Sequence, residues 1–238
     1  MIRYVGGLLL GIMLGALAAS TLLYFNPLAA RNPLSPLSVS SNRMLSLSYS
    51  AVPKDSIVYT NNGESRVQPH PEKVRDLWEA PIRHSEVLVT VIKDSRNNAA
   101  GIGIKFSSDS ERTRVISGEA LVDSAWHIHL IERGSLFVEQ TENYWNFLRK
   151  IVLPAYWSTS NHWIGVWNGN ITVGPGALGT AAVSGGTGEF AGLDSEAVEA
   201  VHASAYSVSQ GPVAMDGRLT IDITGKIELT ATDASGPE

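Results

Sequence analysis

His127-Ile128-His129 places two imidazoles on one face of an extended chain, with Glu132 three residues on. Two neutral imidazoles and a carboxylate are a common ligand set for a divalent ion. Glu132 has the opposite strand parity, however, and joins that face only if a bulge re-aims it. His127 and His129 are therefore metal candidates set against a plainer reading, an outward polar face alternating with Trp126, Ile128 and Leu130. Glu119 and Asp123 share parity and, turned into a cavity, would make an acid–base pair with His127 beside them; turned outward they are a solvated face. Half of the 18 aromatic residues fall between Trp126 and Trp167. Trp163, Gly165 and Trp167 share parity, so the glycine leaves a gap between two indoles. Trp126, Phe137, Trp163 and Trp167 are the candidate apolar ligand contacts. The competing reading packs them as core beneath a helix over 143–153, or sets some of them at a membrane surface. The chain has no cysteine, hence no thiol nucleophile, thiolate metal site or disulfide. It also lacks the Gly-x-Ser-x-Gly elbow, the P-loop and the His-Glu-x-x-His helix, and no cofactor is expected.

The elements that must carry these residues read mostly as strands. Of 238 residues, 44% are apolar and 17% charged, and acids lead bases 23 to 18 for a net charge of −5. That excludes a wholly disordered chain and argues against a nucleic-acid partner, which needs surplus Lys and Arg. Alternating or β-branched runs recur at 44–52, 56–60, 86–93, 99–107, 112–122, 125–131 and 134–141, then at 162–167, 170–173, 179–183, 197–209 and 217–229. Two helices are expected, a short one over 71–79 opened by Pro71 and one over 143–153 closed by Pro154. Many short strands with tight turns predict an all-β fold, an antiparallel closed barrel of about eight strands. A sandwich gives the same local signals.

The most distinctive stretch runs from Gly169 to Ala197, where a strand carrying Val183 enters Gly185-Gly186-Thr187-Gly188, followed by Phe190 and Gly192. A dinucleotide site would need a helix and further strand–helix units after the glycines, and too little chain follows. The glycines are expected to take positive φ in a tight hairpin, with Phe190 tucked back into the sheet. This stretch, about residues 169–223, resembles the allene oxide cyclase and dirigent barrels, which share a strand, a Gly-Gly-x-Gly-x-Phe turn and a departing strand. The resemblance implies an eight-stranded antiparallel barrel with an apolar cavity, often trimeric. It also implies activity on fatty-acid epoxides, phenolic radicals or polyenes, in which a dry cavity holds a flexible molecule in a reactive shape. No catalytic residue of that group carries over to this chain.

Val5 to Phe25 contains no charge, and as a helix would be roughly 32 Å long, about a bilayer's hydrocarbon thickness. It is read as a signal anchor, with cleavage near Ala18 as the alternative. Gly7, Gly11, Gly15 and Ala19 line one face on which a second helix can pack. The expected organisation is a cytoplasmic start (1–4), a transmembrane anchor (5–25), a Pro/Ser-rich tether (26–43), leading strands and a short helix (44–84), an extracytoplasmic, periplasmic barrel (85–231) and a tail (232–238). The expected function is a membrane-held, cofactor-independent isomerase or cyclase for a lipid- or polyene-like molecule. The alternatives are a lipocalin-like carrier of lipid or another small hydrophobe and a cupin-like metal enzyme. The expected partners are that apolar molecule, the membrane and further copies of the chain, paired through the anchor or joined as barrel trimers.

Overall fold

The computed structural model describes residues 2–24, 43–52, 56–60, 74–76 and 85–224, with side chains over 6–22, 43–52 and 85–224. Helix α1 spans Ile2–Tyr24. The strands are β1 (Met44–Ser50), β2 (Ser56–Thr60), β3 (Val74–Asp76), β4 (Ser85–Lys93), β5 (Ala99–Asp109), β6 (Leu121–Leu130) and β7 (Gly134–Asn143), then β8 (His162–Asn170), β9 (Thr172–Gly174), β10 (Ala181–Gly185), β11 (Asp194–Ser207) and β12 (Gly211–Asp222). Eight of them close an antiparallel barrel in the order β1-β12-β11-β10-β7-β6-β5-β4, and Ser48 on β1 meets Lys93 on β4 to complete the ring. Closure leaves these strands no free edge, and it decides between barrel and sandwich. In the wall between β7 and β11, β10 fills one end, while β8 pairs with β11 and β9 with β7 at the other.

Period-two alternation sorts each strand into an inner and an outer row. Leu47, Ile92, Ile128, Leu136, Leu219 and Ile221 are essentially inaccessible and fill one half of the barrel solid. Room for that packing comes from β5: a Cβ on Gly103 would lie 2.7 Å from Ile92 Cδ1 and 2.9 Å from Trp126 Cζ3. The other half is closed over by a helical run, Trp145–Phe147, a π-helical turn Leu148–Val152 and Leu153–Trp157, which buries Phe147, Ile151 and Ala155. This helix was expected to stop at Pro154. It continues because Pro154 begins a fresh turn after the π-helical widening, where its missing N–H leaves little unsatisfied. The helix expected over 71–79 is also corrected, since Val74–Asp76 pairs in parallel with β2 and sheet pairing overrides local propensity. The rest of that segment, the tether up to residue 42 and the tail 232–238 lie outside the described residues.

The glycine turn after β10 tucks Phe190 into the core at 2% exposure. Gly188 and Gly192 take positive φ, +65° and +75°, whereas Gly185 is required by close approach: a Cβ there would sit 1.6 Å from the Phe190 carbonyl oxygen. Gly185→Ala is expected to cost about 2–3 kcal/mol through overpacking against backbone. Gly192→Ala meets no neighbour and should cost only about 1–2 kcal/mol, from the left-handed conformation alone. Thermal unfolding of the two variants, followed by tryptophan emission, checks the order.

The described side chains of α1, Gly6 to Leu22, are exposed throughout, and nothing lies within 4 Å of a Cβ placed on Gly7, Gly11 or Gly15. Among the described residues no helix is long and apolar enough to cross a membrane.

Candidate functional site

Midway along the barrel the inner rows change character together. On β7, Leu136 and Val138 give way to Gln140 and Glu142; on β5, Gly101 and Gly103 give way to Lys105; on β11, Ala197 gives way to Glu199. Lys105, Glu142 and Glu199 are all buried, with Glu142 and Glu199 at 0% exposure. Lys105 Nζ stands 2.5 Å from Glu142 Oε1 and 3.0 Å from Glu199 Oε1. It also lies 5.3 Å from the Trp126 ring centre, a cation–π contact.

Glu199 is held on every side. Tyr49 donates its hydroxyl to Oε1, while Gln140 Nε2 and Trp126 Nε1 (3.1 Å) donate to Oε2. Thr172 Oγ1 donates to Gln140 Oε1 and accepts from the Glu199 backbone N–H, each at 2.8 Å. That bond fixes which end of the Gln140 amide meets the carboxylates. Glu142 is satisfied on one oxygen alone. Its Oε1 accepts from Lys105, from Ser124 Oγ at 2.6 Å and from Gln140 Nε2 at 2.7 Å, whereas Oε2, equally buried, makes no hydrogen bond of ordinary geometry, with the Tyr144 hydroxyl the donor close to this carboxyl.

The two carboxyls are thereby pushed in opposite directions. Burial works to raise Glu199, but the Lys105 charge and the bonds from Tyr49, Lys105 and Trp126 outweigh it and hold the group below the ordinary glutamate range. Burial raises Glu142, the Lys105 charge opposes it, and the negative charge of Glu199 adds to the rise, so this carboxyl stays protonated to higher pH than usual. Lys105 loses by burial but gains more from Glu142 and then Glu199, which keep it charged. Two carboxyls whose environments separate their proton affinities are what acid–base chemistry requires.

Above this layer lies a cavity of about 530 Å³, with Glu142 in its lining and Tyr144, Phe147, Val152, Tyr206 and Met215 among its walls. Phe147 meets Tyr144 edge to face at 6.3 Å and Tyr206 at 6.0 Å. Burial, then the neighbouring Glu142 charge, raises the Tyr144 hydroxyl well above the usual range, so it stays a neutral donor.

The residues singled out from sequence are placed differently. Asp123 faces outward, paired with Arg112 at 2.7 Å and accepting from Thr141 Oγ1 at 2.8 Å. Glu119 pairs through its backbone with Arg114 in the loop before β6. His127 lies outside the barrel, stacked on Phe137 with ring centres 4.6 Å apart, and His129 is exposed. Glu132 sits in the following turn at φ +62°. Among the described residues no group of three or more His, Cys, Asp or Glu is placed to hold a metal ion. Trp126 is core, serving Glu199 rather than an open slot. The expected gap between Trp163 and Trp167 is filled, because the Trp163 indole folds over Gly165 and Phe147 packs on Trp167 at 5.6 Å. Sequence reasoning passed over Lys105, Glu142 and Glu199. Their one signal is a charged residue sharing strand parity with small or apolar neighbours, as Glu199 does with Ala197 and Val201.

No protein-family model matches this chain, and no curated protein matches its sequence.

Proposed function

We propose that the protein is a cofactor-independent isomerase or cyclase that holds a small apolar molecule in the barrel and moves a proton with Glu142. The observation behind this reading is Glu142 itself: a buried carboxyl in the lining of an aromatic-walled cavity, with Oε1 saturated by donors and Oε2 left with no more than the nearby Tyr144 hydroxyl. With its proton affinity raised, Glu142 delivers a proton from Oε2 to the bound molecule, and the resulting carboxylate takes one back from another carbon, so substrate and product are isomers. Tyr144, Phe147 and Tyr206 present ring faces and edges to the positive charge that develops between the two transfers. Lys105 and Glu199 stay paired throughout and set the electrostatics without turning over. An eight-stranded barrel around an apolar-walled cavity is also what the resemblance of the glycine turn to the allene oxide cyclase and dirigent barrels implies. Helix α1, apolar and uncovered by protein, is the part that would hold the barrel at a membrane, on its extracytoplasmic face.

A carrier reading draws on one feature: the other carboxylate oxygens of the buried layer are all tied to donors, so Glu142 has no second acid or base beside it to share the transfers. One experiment separates the two. Carbonate-washed membranes retaining the full chain are extracted in detergent and incubated with the host's lipid extract in heavy water. Solvent deuterium appears in an isomer of one extract component, and Glu142→Gln lowers its formation by at least about a hundredfold. A co-purifying apolar molecule with no Glu142-dependent deuterium uptake would leave a carrier in place of an enzyme.

A further inference from the structure

The buried layer holds one cation and two carboxyl groups, Lys105 against Glu142 and Glu199. A surplus negative charge in a water-poor site is costly unless something positive meets it. A proton on Glu142 is one way to meet it, and burial with the neighbouring Glu199 charge shifts this carboxyl toward holding one. A ligand can replace that proton if it brings a charge of the same sign, and the surroundings of Glu142 are suited to one. Tyr144 lies beside it, and Tyr144, Phe147 and Tyr206 form a run of edge-to-face rings, the kind of surface that recognises ammonium groups. No Lys or Arg is among the described residues lining the cavity; its other acids, Glu86 and Asp109, already have partners of their own. Among the described residues a ligand carboxylate would meet Glu142 with no cation to offset it, since Lys105 is held by both glutamates.

We infer that the cavity selects an apolar molecule bearing a cationic nitrogen, an amine or quaternary ammonium, whose charge sits against Glu142 among the rings of Tyr144, Phe147 and Tyr206. This rests on the cavity being a ligand site, as proposed above, and adds the sign of charge that the ligand carries. Against a cation Glu142 is a carboxylate, so with such a molecule it takes the first proton and returns one at another carbon, the two transfers proposed above in the opposite order.

The test uses three probes of one skeleton: trimethyl(3-phenylpropyl)ammonium, 3-phenylpropan-1-ol and 3-phenylpropanoate. Each is titrated calorimetrically at neutral pH into the full chain in phosphatidylcholine nanodiscs, with empty discs as blank. The ammonium is expected to bind at least about tenfold more tightly than the alcohol, and the carboxylate more weakly than either. Glu142→Gln should bring the ammonium-to-alcohol ratio near one, whereas Asp123→Asn on the outer face should keep the wild-type ratio. Equal binding of ammonium and alcohol, or a preference that survives Glu142→Gln, overturns the charge inference and leaves the ligand site standing. Binding of none of the three overturns both.

Discussion

Lys105→Met is expected to destabilise the barrel by about 3–5 kcal/mol, because it strands two carboxyls that have no other cation among the described residues. Lys105 lies between Glu142 and Glu199 with almost no solvent contact, so removing it leaves an uncompensated charge, not merely a lost bond. For a folded body of this size the melting temperature should fall by roughly 6–20 °C, read by tryptophan emission. The sign of the pH dependence follows from the same cause. Without the ammonium, both carboxyls rise above their unfolded values, so the deficit is full at neutral pH and shrinks as acid protonates them. A deficit that stays constant down to pH 4 would mean that Lys105 acts through its packing on Trp126 instead. Replacing all three charged residues together by Met and Leu should recover most of the loss, since buried ion clusters often exchange for apolar side chains at little net cost. The layer is then a feature that stability does not require, which is the expectation for a site retained for function.

The strand runs were legible because their cause is local. The stretch 86–93 carries Leu88, Thr90 and Ile92 on one face, and it is found as Ser85–Lys93 with those three residues buried. The glycine turn was legible for the same reason, although close approach rather than positive φ governs Gly185. The site was not, and β5 shows why. Its large apolar residues, Ile102 and Phe106, point outward at 55% and 52% exposure, while Gly101, Gly103 and Lys105 point inward. A reading that turns the most hydrophobic face to the core therefore puts Lys105 in solvent. The inner row is small because Trp126, from the neighbouring strand, needs the room over Gly103, and that is tertiary information. His127 and His129 attract notice by residue type, yet they alternate with Trp126, Ile128 and Leu130, which the core claims first.

Glu199 and Glu142 carry the same side chain, and their replacements should move stability in opposite directions. Glu199→Leu removes the acceptor for Tyr49, Lys105, Gln140 and Trp126 at once. Each buried donor left without a partner costs about 1–3 kcal/mol, more when it is charged, so a total loss of about 5 kcal/mol is expected. Glu142→Gln keeps an Oε1 acceptor for Lys105, Ser124 and Gln140 and removes only the surplus negative charge, so at mildly alkaline pH it should be neutral or stabilising by up to about 1 kcal/mol. The titrations separate them further. The folded pKa of Glu199 is depressed, so its contribution is present above the unfolded value, about 4.3, and is lost as pH falls through the lower folded value. The folded pKa of Glu142 is raised, so the fold gains stability from it below the unfolded value and loses that gain as pH climbs through the folded one. Chemical unfolding of wild type and both variants between pH 3 and pH 8 reads the two windows. The Glu199→Leu deficit should close only at the acid end, and any Glu142→Gln advantage should open only toward the alkaline end. If both variants were destabilised alike across the range, the two glutamates would be equal parts of one structural cluster, and the case for Glu142 as the reacting group would fall with their asymmetry.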